Sequence, residues 1–269
     1  MIVHRDFLTI PKAPMKLYKE IGTINNKTCF AMAELIEPAQ LDSNLHQLAS
    51  FGILDGIKKL LEGETPEGEE PDPETHHDVN EKDERGSTPL VWACRNGHLE
   101  VVTYLIEQGA EVDTKSFGGM TPLHHACNSS VEACVAKLID AGADSNATDE
   151  EGNTCLHWAV SRGVLNIVVR LTDAGGDISQ SNNAGVTPIH KATIFNQIAV
   201  VKKLVDLGAD VNATDNLGNT PLHHAARCGF KGQIAFLRKS GATELKNSAG
   251  KTPSDLGDKD VKAALSAEM

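Results

Sequence analysis

Apolar residues fall at helical spacing in blocks that recur along the chain. Val102, Leu105 and Ile106 are echoed by Val135, Leu138 and Ile139, and again by Val201, Leu204 and Val205. Positions i, i+3 and i+4 share one side of a helix, so each block predicts a helix with a single buried stripe. Ahead of each block stands a threonine followed by proline or a substitute, at Thr88, Thr121, Thr154, Thr187, Thr220 and Thr252. Two residues before each lies a glycine: Gly86, Gly119, Gly152, Gly185, Gly218 and Gly250. Successive threonines are 33 residues apart, with a last step of 32. A fixed period of this length marks a stack of identical supersecondary units.

The unit has a readable grammar. Thr-Pro opens a short first helix, since proline in the first turn loses no hydrogen bond. A turn follows at Gly97, Gly163 or Gly229, with Ser130 and Asn196 in that place in two units. The second helix carries the apolar stripe and ends near Gly109, Gly142, Gly175, Gly208 or Gly241, where a left-handed residue closes the last turn. An extended segment such as Ala209-Asp210-Val211-Asn212 leads on to the next tip. Thr-Pro-Leu-His at 121–124 and 220–223, Thr-Pro-Ile-His at 187–190 and Gly-Ala-Asp-Val-Asn at 208–212 closely resemble the ankyrin-repeat family. The resemblance, which covers roughly 41–265, implies an all-α solenoid of stacked helix-turn-helix units with β-hairpin tips.

Five full repeats are expected over 83–246, closed by a capping half-repeat and tail at 247–269 in which Ser254 replaces the usual leucine. Leu45-His46, Gly52 and Ile57, Leu60, Leu61 sketch a degenerate N-terminal capping repeat over 41–63. Residues 64–82 interrupt the period as a Pro-rich insertion, predicted to be flexible; 64–81 hold eight acids and no Lys or Arg. Residues 1–40 match nothing. They read as an extension packing on the first repeat, either with a helix over 28–36 or with a hairpin around Asn25-Asn26; the helix is the favoured reading.

Charge and cysteine content narrow the function classes. The net charge of −12 argues against a phosphate-backbone partner. No apolar run is long enough to cross a bilayer, and the opening Met-Ile-Val-His-Arg-Asp is not expected to act as a secretory leader. The six cysteines form no C-x-x-C pair and read as buried, reduced residues of a cytoplasmic or nuclear protein. No nucleophile-elbow or zincin motif is present, and Gly250-Lys251-Thr252 lacks the earlier glycine of a phosphate loop. His76-His77 among Asp72, Glu74 and Asp78 is a weak cation candidate. His124, His157, His190 and His223 occur one per repeat, about 8–10 Å apart, too far to share a zinc. The resemblance instead implies that each joins its threonine in a hydrogen-bond network between repeats. Leu204 with Asp210-Val211-Asn212 also resembles the ankyrin substrates of an asparaginyl hydroxylase, though those residues are equally plain repeat consensus.

With no catalytic constellation, cofactor or metal expected, surface remains. The resemblance implies a concave groove between the tips and the inner helices, and says which positions face it. On the inner helices these are Trp92, His125, Trp158, Lys191 and His224. Near the helix ends they include Arg95, Asn128, Arg162, Phe195 and Arg227. At the tips they include Arg85, Phe117 and Met120. Trp, Arg, Met and aromatics are enriched in interfaces. The expected function is that of a monomeric scaffold or adaptor binding another protein, the alternative being an accessory recruitment module of a larger protein. The basic bias of these positions points to a partner segment that is apolar with acidic residues; nucleic acid and membrane are not expected.

Overall fold

The computed structural model describes residues 44–62 and 77–266. The extension at 1–40 and most of the acidic insertion, with its Asp72, Glu74 and His76, lie outside the described residues.

Helices alternate between a first, inner and a second, outer position in each repeat. The first pair is α1 (Leu45–Phe51) and α2 (Leu54–Glu62). The five full repeats follow. They pair α3 (Pro89–Asn96) with α4 (Leu99–Glu107), α5 (Pro122–Ser129) with α6 (Glu132–Asp140) and α7 (Cys155–Arg162) with α8 (Leu165–Asp173). The last two pair α9 (Pro188–Ile194) with α10 (Ile198–Asp206) and α11 (Pro221–Cys228) with α12 (Lys231–Lys239). Two short helices, α13 (Pro253–Leu256) and α14 (Lys259–Ser266), end the stack.

Each inner helix of the five full repeats starts at a threonine N-cap, and α1 starts at Asn44. The Thr121 hydroxyl accepts the N–H of His124, and Pro122 presets the first turn. It stops at a residue in the left-handed region: Gly97, Gly163 and Gly229, but also Ser130 at φ 63° and Asn196 at φ 56°. The core then repeats in columns. Leu90, Leu123, Leu156, Ile189 and Leu222 form one; Leu105, Leu138, Leu171, Leu204 and Leu237 form another; all are at most 1% exposed. Each such side chain contributes about 1.5–3 kcal/mol by leaving water. A third column of Ala93, Ala126, Ala159, Ala192 and Ala225, fully buried, lets successive inner helices approach closely.

The tips are hydrogen-bonded turns. Asp149 N–H donates to Asn153 O at 3.0 Å, and the same bond recurs from Asp83 to Ser87, Ser116 to Met120, Asn182 to Val186, Asp215 to Asn219 and Asn247 to Lys251. Among the described residues they carry one isolated bridge, Thr148 to Thr154, and no extended strand. Neighbouring tips are stitched together by Phe117 N–H to Arg85 O, Glu150 to Gly118, Asn183 to Glu151, Asn216 to Ala184 and Ser248 to Leu217.

The inner-helix face and its tips as a candidate interface

The per-repeat histidines face inward. His124, His157 and His190 are fully buried and His223 is 1% exposed. At His157, Nδ1 accepts the Thr154 N–H at 3.1 Å and lies 2.9 Å from the Thr154 hydroxyl. That leaves the proton on Nε2, which donates to Val186 O of the next repeat at 2.9 Å. His124 reaches Asn153 O, His190 reaches Asn219 O and His223 reaches Lys251 O in the same way. Burial dominates at His157 and His190 and pushes both rings down to about 4, so they are neutral near pH 7. These side chains join repeats.

Asn212 is similarly engaged. Its amide donates to Gly241 O and its carbonyl accepts Thr243 N–H. The thiols of Cys94 and Cys155 are enclosed and held protonated by burial. Among the described residues, no group of three or more His, Cys, Asp or Glu is gathered as a metal would need.

The surface positions behave differently. In each inner helix, residues equivalent to Trp92, Arg95 and Asn96 stand at i, i+3 and i+4 and share the side turned from the outer helix. Trp92 and Trp158 are half-buried. Their indole N–H groups donate to the first residue of their own tip, Asp83 Oδ2 at 2.9 Å and Asp149 Oδ2 at 3.0 Å. His224 makes the equivalent bond to Asp215 at 3.0 Å and is 5% exposed; its Nδ1 accepts from Arg227 at 2.8 Å. His125 lies 2.9 Å from the Ser116 hydroxyl, and burial with Arg95 nearby pushes it down to about 4. The tryptophans and both histidines therefore also fasten tip to helix. Sequence reading missed this tie, whose signal is the nine-residue spacing of Asp83–Trp92, Ser116–His125, Asp149–Trp158 and Asp215–His224.

The cations are exposed or half-exposed, and each rests on a neutral group. Arg95 lies over the Trp92 ring, 5.3 Å from its centroid, and Lys191 over Phe195 at 6.0 Å. Arg162 donates twice to Asn128 Oδ1, at 3.1 and 2.6 Å, across to the preceding repeat. Phe117 is 80% exposed at its tip and Phe195 51% exposed at the end of its helix, while Met120, three residues after Phe117, is half-buried. Arg85 is exposed at the adjacent tip, its carbonyl accepting the Phe117 N–H. Among the described residues no helix is long and apolar enough to cross a membrane.

A family model for ankyrin repeats (3 copies) matches residues 45–149, 131–215 and 156–247. A search of curated proteins finds similarity to the human DNA-binding protein RFXANK, 43% identical over 76 residues, covering 28% of this chain and 25% of that one. The match thus spans about a quarter of that relative. Among solved structures, the human ASB11 ankyrin repeat domain superposes with a TM-score of 0.72 at 32% identity, over 83% of this chain and 96% of that one. The ankyrin repeat domain of Bcl-3, described as a unique member of the IkappaB protein family, gives 0.71 at 28% identity, over 83% and 98%.

Proposed function

The chain belongs to the ankyrin-repeat family, and from that premise we propose that it is a non-catalytic adaptor holding one partner protein against its inner helices and tips. Ankyrin-repeat domains mediate protein–protein interaction. The observation that carries the reading is Phe117, a large apolar ring left 80% in solvent at a tip, with half-buried Met120 three residues on and Arg85, Arg95 and Trp92 in the adjoining repeat. Phe117 and Phe195 supply apolar contact, while Arg95, Arg162, Lys191 and Arg227 supply charge. Trp92, Trp158, His125 and His224 set the surface those groups stand on, and Asn128 orients Arg162.

The test is affinity capture from native lysate with wild type and with a Phe117→Glu, Met120→Glu variant. The variant should lose at least about tenfold in captured partner, the scale of one well-packed anchor. Its melting temperature should stay within a few degrees of wild type, because Phe117 is mostly in water already. Full retention of the partner by the variant overturns the assignment.

A further inference from the structure

The five inner helices of the full repeats contain Arg95, Arg162, Lys191 and Arg227 and not one Asp or Glu. Their five outer partners carry six carboxylates, Glu100, Glu107, Glu132, Asp140, Asp173 and Asp206, interspersed with seven cations. In a chain of net charge −12, the inner helices are thus the place where cations stand with no carboxylate among them. None of the four cations forms an ion pair among the described residues. The carboxylates that open the tips of the first, third and fifth full repeats, Asp83, Asp149 and Asp215, are spent inside those tips. Asp149 Oδ1 accepts the Glu151 and Asn153 N–H groups while Oδ2 takes the Trp158 indole. Asp83 and Asp215 do the same with Trp92 and His224. Neutral braces instead hold the cations: an indole, an amide, a phenyl ring and a neutral imidazole. Cations ordered in advance and left without counter-charge lose little freedom when a carboxylate arrives.

We propose that this face takes an extended acidic peptide of the partner, running across the inner helices with its carboxylates in register with the repeats. The inference rests on the adaptor reading above and adds the chemistry and spacing of the segment. Neighbouring inner helices lie about 8–10 Å apart and an extended chain advances about 3.3 Å per residue, so one repeat passes roughly every three residues. The cations occupy the first, third, fourth and fifth repeats. The second presents Asn128 and His125 beside Phe117 and is neutral at pH 7. The matching segment has carboxylates at roughly its first, seventh, tenth and thirteenth positions and an apolar residue near its fourth.

The probe is a fluorescein-labelled 13-residue peptide (about four repeat steps of extended chain) with glutamates at those positions and leucine at the fourth, read by anisotropy against the full chain. It should bind in about 20 mM salt and weaken as salt screens the pairs. Converting Arg95, Arg162, Lys191 and Arg227 to Gln should weaken it about tenfold or more. A control variant of equal charge change on outer helices, with Arg170, Lys202, Lys203 and Lys239 converted to Gln, should leave binding nearly unchanged. A peptide of identical composition with its four glutamates contiguous should bind several-fold less tightly; on wild-type protein this comparison needs no variant to fold. No binding of the registered peptide, equal loss in the two variants, or equal affinity for the contiguous peptide overturns the proposal. So does equal or tighter binding of a DNA duplex of similar length that displaces the peptide. Peptide binding seen only after residues 64–76 are deleted would make the chain's own acidic segment the occupant and overturn the assignment to a separate partner. Lysate capture that still depends on Phe117 and Met120 while the peptide fails would leave the adaptor reading standing and remove this one.

Discussion

At the scale of the residue, single buried polar atoms decide local stability. Gln233 occupies the position filled by Val101, Cys134, Ile167 and Val200 in the preceding repeats, and is 1% exposed. Its amide N–H donates to Asn196 Oδ1 at 2.9 Å, while its carbonyl oxygen is buried without a partner among the described residues. An unpaired buried acceptor costs about 1–3 kcal/mol. Gln233→Ile removes it in a slot shaped for a branched apolar chain, and exposed Asn196 regains water. The variant should gain about 1 kcal/mol, read as a higher urea midpoint at unchanged slope. A lower midpoint would show that the bond to Asn196 outweighs the orphaned oxygen. Asp149 is the reverse case, since both its oxygens are used. Asp149→Ala strands the Glu151, Asn153 and Trp158 N–H groups and should cost about 2–4 kcal/mol, with a red shift in tryptophan emission. Asn182 keeps the same two backbone bonds at its own tip, so Asp149→Asn should cost visibly less.

At the scale of the element, most of the repeat is legible in the chain because its determinants are local. Thr121 caps its helix three residues on, Gly97 ends one, and Ser130 and Asn196 do so where glycine is missing. Contacts between elements distant in sequence are harder to read. Nothing in the pattern announces that Arg162 rests on Asn128, 34 residues away on the preceding inner helix, and the nine-residue spacing of Asp83 and Trp92 becomes a hydrogen bond only because the tip folds back over its helix. For the same reason His224 looks like a groove residue in the sequence and is nearly enclosed in the structure. The glycines separate the two kinds of constraint. Gly241 has φ 94° and an added Cβ would meet nothing within 4 Å, so Gly241→Ala should cost only the left-handed penalty, about 1–2 kcal/mol. Gly185 has φ 74° and an added Cβ would stand 2.6 Å from the backbone nitrogen of Asn216, which donates to Ala184 O. Gly185→Ala must therefore also disturb the stitch between two tips and should cost at least about 1 kcal/mol more. Equal melting temperatures for the two variants would mean that the tips adjust freely.

At the scale of the whole molecule, repeats that touch only their neighbours stand or fall by the links between them. The histidine column is one such link, and it makes stability depend on pH. His157 and His190 have native values pushed down to about 4 by burial, whereas an unfolded histidine titrates near 6.5. Above about pH 6.5 both rings are neutral folded or unfolded, and the contribution is fully present. Between about 6.5 and 4 the unfolded chain binds a proton at each ring that the native state does not. Stability therefore falls with falling pH by up to about 1.4 kcal/mol per unit for each ring. Protonation in place would also turn Nδ1 from acceptor to donor, against the Thr154 and Thr187 N–H groups that it now accepts. Urea unfolding at pH 7, 6 and 5 should show the midpoint dropping at each step. A His157→Leu, His190→Leu variant should be weaker than wild type at pH 7 through the lost bonds to Val186 and Asn219, yet lose less between pH 7 and 5. The two curves should therefore converge as the solution is acidified. Parallel curves would place the acid sensitivity on other groups and leave these two rings as neutral spacers between repeats.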